Sequence, residues 1–241
     1  MDKATQKELL NIVKRNYEEI AEDFCRSRQK KLWPGLEKLA SEVGDGAKVL
    51  DVGCGNGRLL KIWLDKKIKY LGVDPSKRLI ELAEKQYQIV KSSSRANFKF
   101  QLGDISQLNK IPEINFDYVF CVAVLHHLPG ANLRQQALKQ LKNKVSDQGK
   151  IIITVWNLWR RRKERNLLVR YALLKLIGKN KMDWGDILFY WRNKTGRPVS
   201  QRYYHAFRRR ELKRLIKKAG LKIDKFFSDG YNYYVVVRKK G

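Results

Sequence analysis

The fold is indicated by the stretch KVLDVGCGNGRLL, which runs from residue 48 to residue 60. Its first part, 49–52, is a short apolar run typical of a buried strand. Three glycines follow, and the next residues, LLKIWLD (59–65), have the apolar pattern of a helix. Strand, glycine loop and helix together form the first half of a βαβ unit. We therefore expect a sheet whose strands alternate with helices.

The rest of the chain continues this alternation. Four further strand-like runs follow, separated by helical stretches: KYLGVDPS (69–76), NFKFQLGD (97–104), FDYVFCVAVL (116–125) and GKIIITVW (149–156). After a helical stretch at 209–219, two apolar runs flank Asp229-Gly230, which is a hairpin signal. The predicted fold is α/β, a mostly parallel, doubly wound, seven-stranded Rossmann-like sheet with an antiparallel C-terminal hairpin. One amphipathic helix is predicted before it, from Lys7 to Phe24.

Charge is distributed unevenly along the 241 residues. The chain has 52 Lys and Arg against 24 Asp and Glu, a formal net charge of +28. Residues 158–218 hold 20 of the basic side chains against 4 acidic ones. This segment predicts a polyanion-binding face, although a solvated helix surface would give a similar pattern. We expect one domain over residues 1–241, with a basic insert at 158–198.

The cysteine count and the termini bear on location and metal content. The three cysteines have no paired spacing and no neighbouring histidine cluster, so neither a disulfide framework nor a metal site is expected. The N-terminus lacks the pattern of a secretory signal, and the apolar runs are too short to span a bilayer. We therefore expect a cytoplasmic protein.

Three strand ends carry the residues expected to bind a cofactor. In DVGCGNG (51–57) the glycines fall at every second position, unlike the G-x-G-x-x-G spacing of dinucleotide sites. Asp74 ends the second strand, where it can accept hydrogen bonds from ribose hydroxyls, and Asp104 ends the third, near where an exocyclic amine would lie. Taken singly, a glycine loop is often a tight turn and a strand-end Asp is often a helix N-cap.

Taken together, these residues resemble the class I S-adenosylmethionine-dependent methyltransferases. The resemblance implies S-adenosylmethionine as cofactor. The residues that it implies around this cofactor are Asp51, Gly53, Gly55, Gly57, Asp74, Asp104, Ile105 and Val122.

A closer resemblance covers nearly the whole chain. The matching blocks are YEEIAEDFCRSR (17–28), AVLHHL (123–128), ITVWNL (153–158), GDILFYW (185–191), RYYHAFRRREL (202–212) and FFSDGYNYYVVV (226–237). They look like the tRNA wobble-uridine carboxymethyl methyltransferases, which convert a 5-carboxymethyl group into its methyl ester. The anticodon arm of a tRNA is then the expected partner, and residues 1–47 are expected to form a helical lid. Residues 158–181 match nothing in this family. A small zinc-containing activator subunit is compatible with the resemblance, but nothing in the sequence requires it.

The residues expected to act on the substrate follow from the chemistry of a carboxylate. A guanidinium fork suits a carboxylate better than an ammonium does, and Arg202 is our candidate; its alternative roles are a phosphate contact or a surface ion pair. His126 and His127 follow the fourth strand, where this fold places the transferred methyl group. One of them is expected to line the substrate pocket, unless they only cap a loop and pack inward.

Basic and aromatic side chains are predicted to contact the RNA. The set comprises Arg28, Arg160, Arg161, Arg162, Tyr203, His205 and Arg208, interleaved with Trp156, Trp159, Trp184 and Trp191. Burial in a core is the alternative for the aromatic members. A methyltransferase for a small carboxylic acid is the competing function, but a small substrate has no use for so large a cationic surface. A non-catalytic RNA-binding protein is disfavoured because the loop glycines and both acids are present.

Overall fold

The computed structural model describes residues 1–28, 31–193 and 195–240, so Lys194 of the predicted basic insert lies outside the described residues. The strands are β1 (Lys48–Val52), β2 (Lys69–Asp74), β3 (Asn97–Leu102), β4 (Phe116–Val122), β5 (Val145–Trp156), β6 (Asp186–Arg192), β7 (Pro198–His205), β8 (Leu221–Ser228) and β9 (Asn232–Lys239). The α-helices are α1 (Lys3–Glu19), α2 (Ala21–Ser27), α3 (Pro34–Ser41), α4 (Lys77–Gln88), α5 (Ala131–Lys144), α6 (Arg162–Leu176) and α7 (Arg209–Lys218). Short 3₁₀ helices occupy Arg58–Trp63, Ile105–Lys110, Leu125–His127 and Leu158–Arg160.

Seven strands form one sheet in the order β3-β2-β1-β4-β5-β9-β8. The first five are parallel to their neighbours, and β9 pairs antiparallel with both β5 and β8. The turn between β8 and β9 contains Asp229 and Gly230, as the hairpin signal indicated. The predicted doubly wound sheet with its antiparallel C-terminal hairpin is confirmed.

Both faces of this sheet are covered, which explains why its central strands are apolar throughout. On one face, Leu138 of α5 and Leu212 of α7 pack with β-strand residues such as Val119. On the other face, Leu39 of α3 and Ile80 of α4 pack with another set of strand residues. A parallel sheet buried on both sides leaves the carboxyl ends of its strands as the place where a ligand crevice opens.

The predicted helix from Lys7 to Phe24 is wrong in its extent. Two helices, α1 and α2, occupy this region, and the chain leaves helical geometry between them at Ile20, where φ is −104° and ψ is 8°. Asp2 caps α1 because its side chain accepts a hydrogen bond from the backbone N–H of Thr5. Ile20 is buried at this break, and α2 then turns toward the glycine loop. The Phe24 ring of α2 packs so close to Gly55 that a Cβ at position 55 would lie 3.1 Å from it.

A two-stranded sheet of β6 and β7 was not among the predicted elements. It is covered on one side by α1, where Leu9 and Ile12 pack with Tyr203, and on another by α6, where Leu168 packs with Tyr204. The backbone carbonyl of Tyr203 meets the 3₁₀ turn after β4, so this hairpin stands beside the carboxyl end of the main sheet. None of the helices in residues 1–28, 31–193 and 195–240 has the length and apolar character that crossing a bilayer requires.

Candidate active site

A cleft of about 670 Å³ opens at the carboxyl ends of β1 to β4. The glycine loop after β1, the residues that end β2 and β3, and side chains of α1 and α2 line it. Of the residues predicted to bind a cofactor, those in the lining are Asp51, Gly53, Gly55, Asp74, Asp104, Ile105 and Val122. The structure therefore brings together all but one of the predicted set.

The glycine loop is shaped by close contacts that a side chain would obstruct. At Gly53 φ is +73°, and a Cβ there would lie 2.2 Å from Cγ2 of Val124, so only glycine lets the loop lie this close to the end of β4. Gly57 has a different role, because a Cβ there would meet the Phe100 ring at 2.6 Å and the residue does not line the cleft. The third glycine thus serves packing.

Two buried carboxylates stand behind this loop. Asp74 accepts hydrogen bonds from the backbone N–H groups of Gly55 and Ser76, each at 2.9 Å. Burial raises its pKa to about 6 despite those bonds. Asp51 accepts a hydrogen bond from the Tyr70 hydroxyl at 2.9 Å, and burial raises its pKa to about 7, with the charge of Asp74 adding to the effect. The pair gives this end of the cleft acceptors and negative charge, which suits a cationic ligand that carries hydroxyl groups.

The end of β3 supplies a further carboxylate beside apolar surface. Oδ1 of Asp104 accepts hydrogen bonds from the backbone N–H and the hydroxyl of Ser106, both at 2.7 Å. Leu102 lines the cleft and is 60% exposed, and Ile105 and Val122 also face it. A carboxylate next to aliphatic side chains fits a flat heterocycle with an exocyclic amine. These residues, together with Asp74 and the glycine loop at Gly53, fit an adenosyl sulfonium, which supplies an electrophilic methyl group when bound.

His127 lines the cleft in a fixed tautomer. Its Nδ1 lies 3.3 Å from the backbone carbonyl of Tyr203, which can only accept, so Nδ1 carries the proton. The Tyr17 hydroxyl then donates to Nε2 at 2.8 Å. Burial lowers the pKa of His127 to about 3, and the charge of Arg202 acts in the same direction. The ring is therefore neutral at physiological pH.

His126 lies behind the cleft and is fully buried. Its Nδ1 accepts the backbone N–H of Trp156 at 3.3 Å, which leaves the proton on Nε2. Among the described residues Nε2 has no hydrogen-bond partner. Burial lowers the pKa of His126 well below its usual range, and the positive charges of Arg202 and Arg161 act in the same direction. Of the two histidines, the structure brings only His127 to the cleft.

Arg202 occupies an aromatic cage formed by Trp156, Phe189, Trp191 and Tyr204. Its Cζ lies 5.6, 5.5, 4.9 and 4.8 Å from these ring centroids, respectively. The side chain is 6% exposed, and it donates a hydrogen bond to the Tyr204 hydroxyl. Its Nε has no partner among the described residues. Arg202 is not in the cleft lining, but the Trp156 ring of its cage is.

Three guanidinium groups form an arginine cluster around this cage: Arg28, Arg161 and Arg202. Arg28 lines the cleft above the Phe24 ring, and Arg161 lies 4.6 Å above the Trp156 ring. Burial lowers the pKa of Arg28, and the charges of Arg202 and Arg161 add to the effect. In the described part of the chain no acidic side chain pairs with any of the three. Desolvated cations without counterions are costly, so the cluster is suited to an incoming anion.

Several residues predicted to contact RNA lie elsewhere. Tyr203 is fully buried under α1, and His205 is buried between Asp186 and Glu211, with each ring nitrogen 2.7 Å from a carboxylate oxygen. The structure therefore does not bring Tyr203 or His205 to the cleft. Arg160, Arg162 and Arg208 are exposed, and Arg208 lies 4.4 Å above the Trp159 ring.

Two parts of the site were not foreseen. Phe189 enters the cage because β6 and β7 pair with Phe189 directly opposite Arg202. The two-residue spacing between Phe189 and Trp191 was the available signal, because alternate residues of a strand share one face. Asn11 and Lys14 of α1 also line the cleft, about two turns and one turn before Tyr17 on the same helix. Their three-residue spacing was the signal that could have found them.

Comparisons with known proteins agree with this geometry. A family model described as a methyltransferase domain matches residues 24–225. The tRNA (carboxymethyluridine(34)-5-O)-methyltransferase of Schizosaccharomyces pombe is 26% identical over 92% of this chain and 94% of its own length. The Arabidopsis thaliana protein of the same name is 32% identical over 60% of this chain, which spans 32% of that protein.

Solved structures show the same fold. A SAM-dependent methyltransferase from Methanosarcina mazei superposes with a TM-score of 0.69 at 17% identity, covering 87% of this chain and 99% of its own. The magnesium protoporphyrin IX methyltransferase of Synechocystis, with bound SAH, gives a TM-score of 0.63 at 16% identity over 96% of this chain and 99% of its own.

Proposed function

The chain belongs to the methyltransferase domain family, and from this we propose that it transfers the methyl group of S-adenosylmethionine to the carboxylate of a 5-carboxymethyluridine at the wobble position of a tRNA. The enzyme class and the cofactor follow from the family and the fold. The substrate is the proposed part. Relatives that cover most of this chain carry this activity in their names, which supports the proposal.

The arginine cluster is the observation that carries the choice of a carboxylate. A methyltransferase that acts on a neutral hydroxyl or amine gains nothing from three guanidinium groups without acidic partners. A carboxylate substrate supplies the missing negative charge, and a guanidinium fork can hold it in a defined orientation. We infer that the carboxymethyl group enters beside Trp156, near Arg28 and Arg202.

The proposed reaction balances without a general base. A carboxylate oxygen forms a bond to the methyl carbon while the carbon–sulfur bond breaks, so the carboxylate charge and the sulfonium charge disappear together. No proton moves, which agrees with a neutral His127 whose nitrogens are both engaged. His127 and Tyr17 would act by shape and by excluding water. Alignment of the two reactants can account for about 7 to 11 kcal/mol of the barrier.

The guanidinium is expected to hold the oxygen that does not attack. Because negative charge leaves the carboxylate in the transition state, a strong hydrogen bond to the attacking oxygen would stabilise the reactant more than the transition state. Arg202 and Arg28 would therefore position the substrate and contribute chiefly to its binding. We therefore expect the arginines to affect KM more than kcat.

RNA binding is proposed on the basis of charge. Residues 158–218 carry 20 basic side chains. Of the exposed ones, Arg208 lies over the Trp159 ring, and Arg160 and Arg162 flank Arg161 of the arginine cluster in the sequence. We propose that this surface receives the anticodon arm in the cytoplasm, that residues 1–47 act as a lid over the cofactor, and that residues 158–198 are a basic insert.

Turnover by the purified chain alone would show that a small zinc-containing activator subunit is dispensable, whereas activity only with such a subunit would make it a required partner.

Matched substrates test the proposal. The same tRNA is prepared with 5-carboxymethyluridine or with the uncharged 5-carbamoylmethyluridine at the wobble position, and transfer from labelled S-adenosylmethionine is measured. We expect transfer to the first tRNA only. A free small carboxylic acid, supplied at equal concentration, should accept no methyl group. Efficient methylation of the free acid with none of tRNA would establish the competing function.

A further inference from the structure

A second concave site lies between α5 and α7, apart from the cleft. This basic groove is lined by Arg134 and Lys139 of α5 and by Arg214 and Lys218 of α7, and it has a volume of about 540 Å³. Gln135 and Glu211 also line it. No residue of this groove belongs to the cleft, and the proposed mechanism uses none of them.

The groove contains polar groups that lack partners. Arg134 is 2% exposed; its Nη1 donates to the backbone carbonyl of Leu128 at 3.0 Å, but its Nε has no partner among the described residues. Both amide atoms of Gln135 are buried without a partner in the same part of the chain. A buried guanidinium and a buried amide without acceptors are unfavourable unless a ligand supplies those acceptors.

The one acidic side chain in the lining is already engaged. Glu211 accepts a hydrogen bond from Nε2 of His205 at 2.7 Å and one from the backbone N–H of Arg208 at 3.3 Å. Within the described residues, none of the four cations of the groove forms an ion pair with an acidic side chain. The groove therefore offers several positive charges and hydrogen-bond donors and needs an anion.

The charge of the groove continues along α7. Helical spacing puts four cations of this helix on the side opposite the buried Leu212 and Ile216: Arg210, Arg214, Lys217 and Lys218. Arg209 and Lys213 lie on another side, over the Phe226 ring. At 1.5 Å per residue this row extends over about 12 Å. A single phosphate would occupy a small part of it, whereas the backbone of a nucleic acid presents a row of charges. The row therefore favours an extended polyanion over a free nucleotide.

The row also points toward the cleft. Arg208 immediately precedes α7 and stacks on Trp159, and Trp159 lies three residues after Trp156 of the arginine cage.

From these observations we infer that the basic groove and the cationic side of α7 bind phosphodiester groups of the RNA whose target nucleoside lies in the cleft. This inference rests on the proposed RNA substrate. It places part of the RNA path on α5 and α7 and outside the insert at 158–198. Phosphates in the groove would accept from Arg134 and Gln135 and neutralise Lys139, Arg214 and Lys218.

Charge removal in the groove tests this inference. The variant Lys139→Gln/Arg214→Gln/Lys218→Gln alters three exposed side chains. The control Lys61→Gln/Lys67→Gln/Lys85→Gln removes the same charge from exposed positions on other elements. Binding of the tRNA is measured without cofactor between about 50 and 300 mM salt, because each phosphate contact contributes about 0.7 to 0.9 to the slope of log affinity against log salt.

We expect the groove variant to lose about 1.4 to 2.7 from this slope, corresponding to two or three phosphates, and to bind the tRNA at least about tenfold more weakly near 0.15 M salt. Its KM for tRNA should rise, while kcat at saturating tRNA and S-adenosylmethionine affinity stay within about twofold of the parent. The control should keep the parent slope. If both variants lost the same amount of slope, net charge alone would explain the effect, and the inference would be overturned.

Further outcomes distinguish free phosphate from RNA as the ligand of the groove, and distinguish failure of the RNA substrate from failure of the groove alone. Calorimetry with inorganic phosphate would overturn the RNA assignment if the parent bound it tightly, the groove variant lost it, and the tRNA slope did not change. If tRNA binding by the parent chain itself is weak and insensitive to salt, the RNA substrate fails, and this inference fails with it. A normal parent slope with an unchanged groove variant contradicts only the groove.

Discussion

Replacing Arg202 with methionine separates a substrate-binding arginine from a structural one. The change removes the guanidinium and leaves an unbranched apolar side chain within the cage of Trp156, Phe189, Trp191 and Tyr204. If Arg202 holds the substrate carboxylate, that carboxylate loses its partner in a desolvated environment. Truncating one member of such a charge pair costs about 2 to 5 kcal/mol. We therefore expect kcat/KM for tRNA to fall by a factor of about 30 to 4,000.

The stability of the free protein should respond differently. Arg202 is 6% exposed and has no acidic partner in the described part of the chain, so burying its charge costs several kcal/mol. Its contacts with aromatic rings at 4.8 to 5.6 Å oppose this, each contributing up to about 2 kcal/mol. Because the two effects have opposite signs, we expect the free energy of unfolding of Arg202→Met to stay within about 2 kcal/mol of the parent.

The assay combines steady-state kinetics on tRNA with urea unfolding of the same preparations. Arg202→Lys keeps the charge and loses the fork, and its kcat/KM should lie between those of the parent and Arg202→Met. Arg238→Met, at an exposed position, is the control and should retain full turnover. If Arg202→Met retained more than a third of the parental kcat/KM, Arg202 would not bind the substrate carboxylate. A large loss of stability with unchanged turnover per folded molecule would show that Arg202 is structural.

Three further predictions concern the loop, the acid and the histidine. Gly53→Ala should lower the free energy of unfolding by about 2 kcal/mol more than Gly178→Ala, because both glycines have φ +73° but only a Cβ at position 53 would meet another side chain within 4 Å. Chemical denaturation measures the difference, and equal losses would contradict the close contact between Gly53 and Val124. Affinity for S-adenosylmethionine, measured by calorimetry, should fall at least about tenfold between pH 7.5 and pH 5, because the Asp74 carboxylate, whose pKa burial raises to about 6, becomes protonated. Asp74→Asn should weaken this dependence and leave the part that comes from Asp51, whose pKa burial raises to about 7. The raised pKa of Asp74 also means that burying it lowers stability at pH 7.5 and that this loss diminishes as the pH falls through 6. Tyr17→Phe should lower kcat about fivefold by releasing the ring of His127. In neither enzyme should kcat at saturating S-adenosylmethionine show a histidine inflection between pH 5 and 8, since the pKa of His127 is about 3.

The main sheet was predictable because its signals are local. Apolar runs, glycine loops and the Asp229-Gly230 turn each lie within a few residues, and strand ends carry their polar residues in sequence order. The LLKIWLD stretch shows the limit of this reasoning, because only Arg58–Trp63 is helical, and it is a 3₁₀ helix. Leu60 and Trp63 are fully buried there, and the indole N–H of Trp63 donates to the carbonyl of Ala40, so tertiary packing determines the tighter turn.

The candidate site was predictable where a single motif contains it. The acids and glycines that line the cleft follow from strand ends alone. The arginine cage could not be read in this way, because it joins Trp156 to two strands of another sheet through the register that pairs Phe189 with Arg202. Tyr203 and His205 show the same limit, because successive residues of a strand face opposite sides and these two face away from the side of Arg202. Tyr203 is buried under α1, and His205 is buried between two carboxylates, so neither reaches the cleft.

The most direct test of the account is the identity of the methylated nucleoside. Total tRNA is incubated with the purified chain and labelled S-adenosylmethionine, digested to nucleosides and analysed by mass. The account predicts label in the methyl ester of 5-carboxymethyluridine, released by mild alkali because the new bond is an ester. Label that resists alkali, or that resides in a different nucleoside, would contradict it.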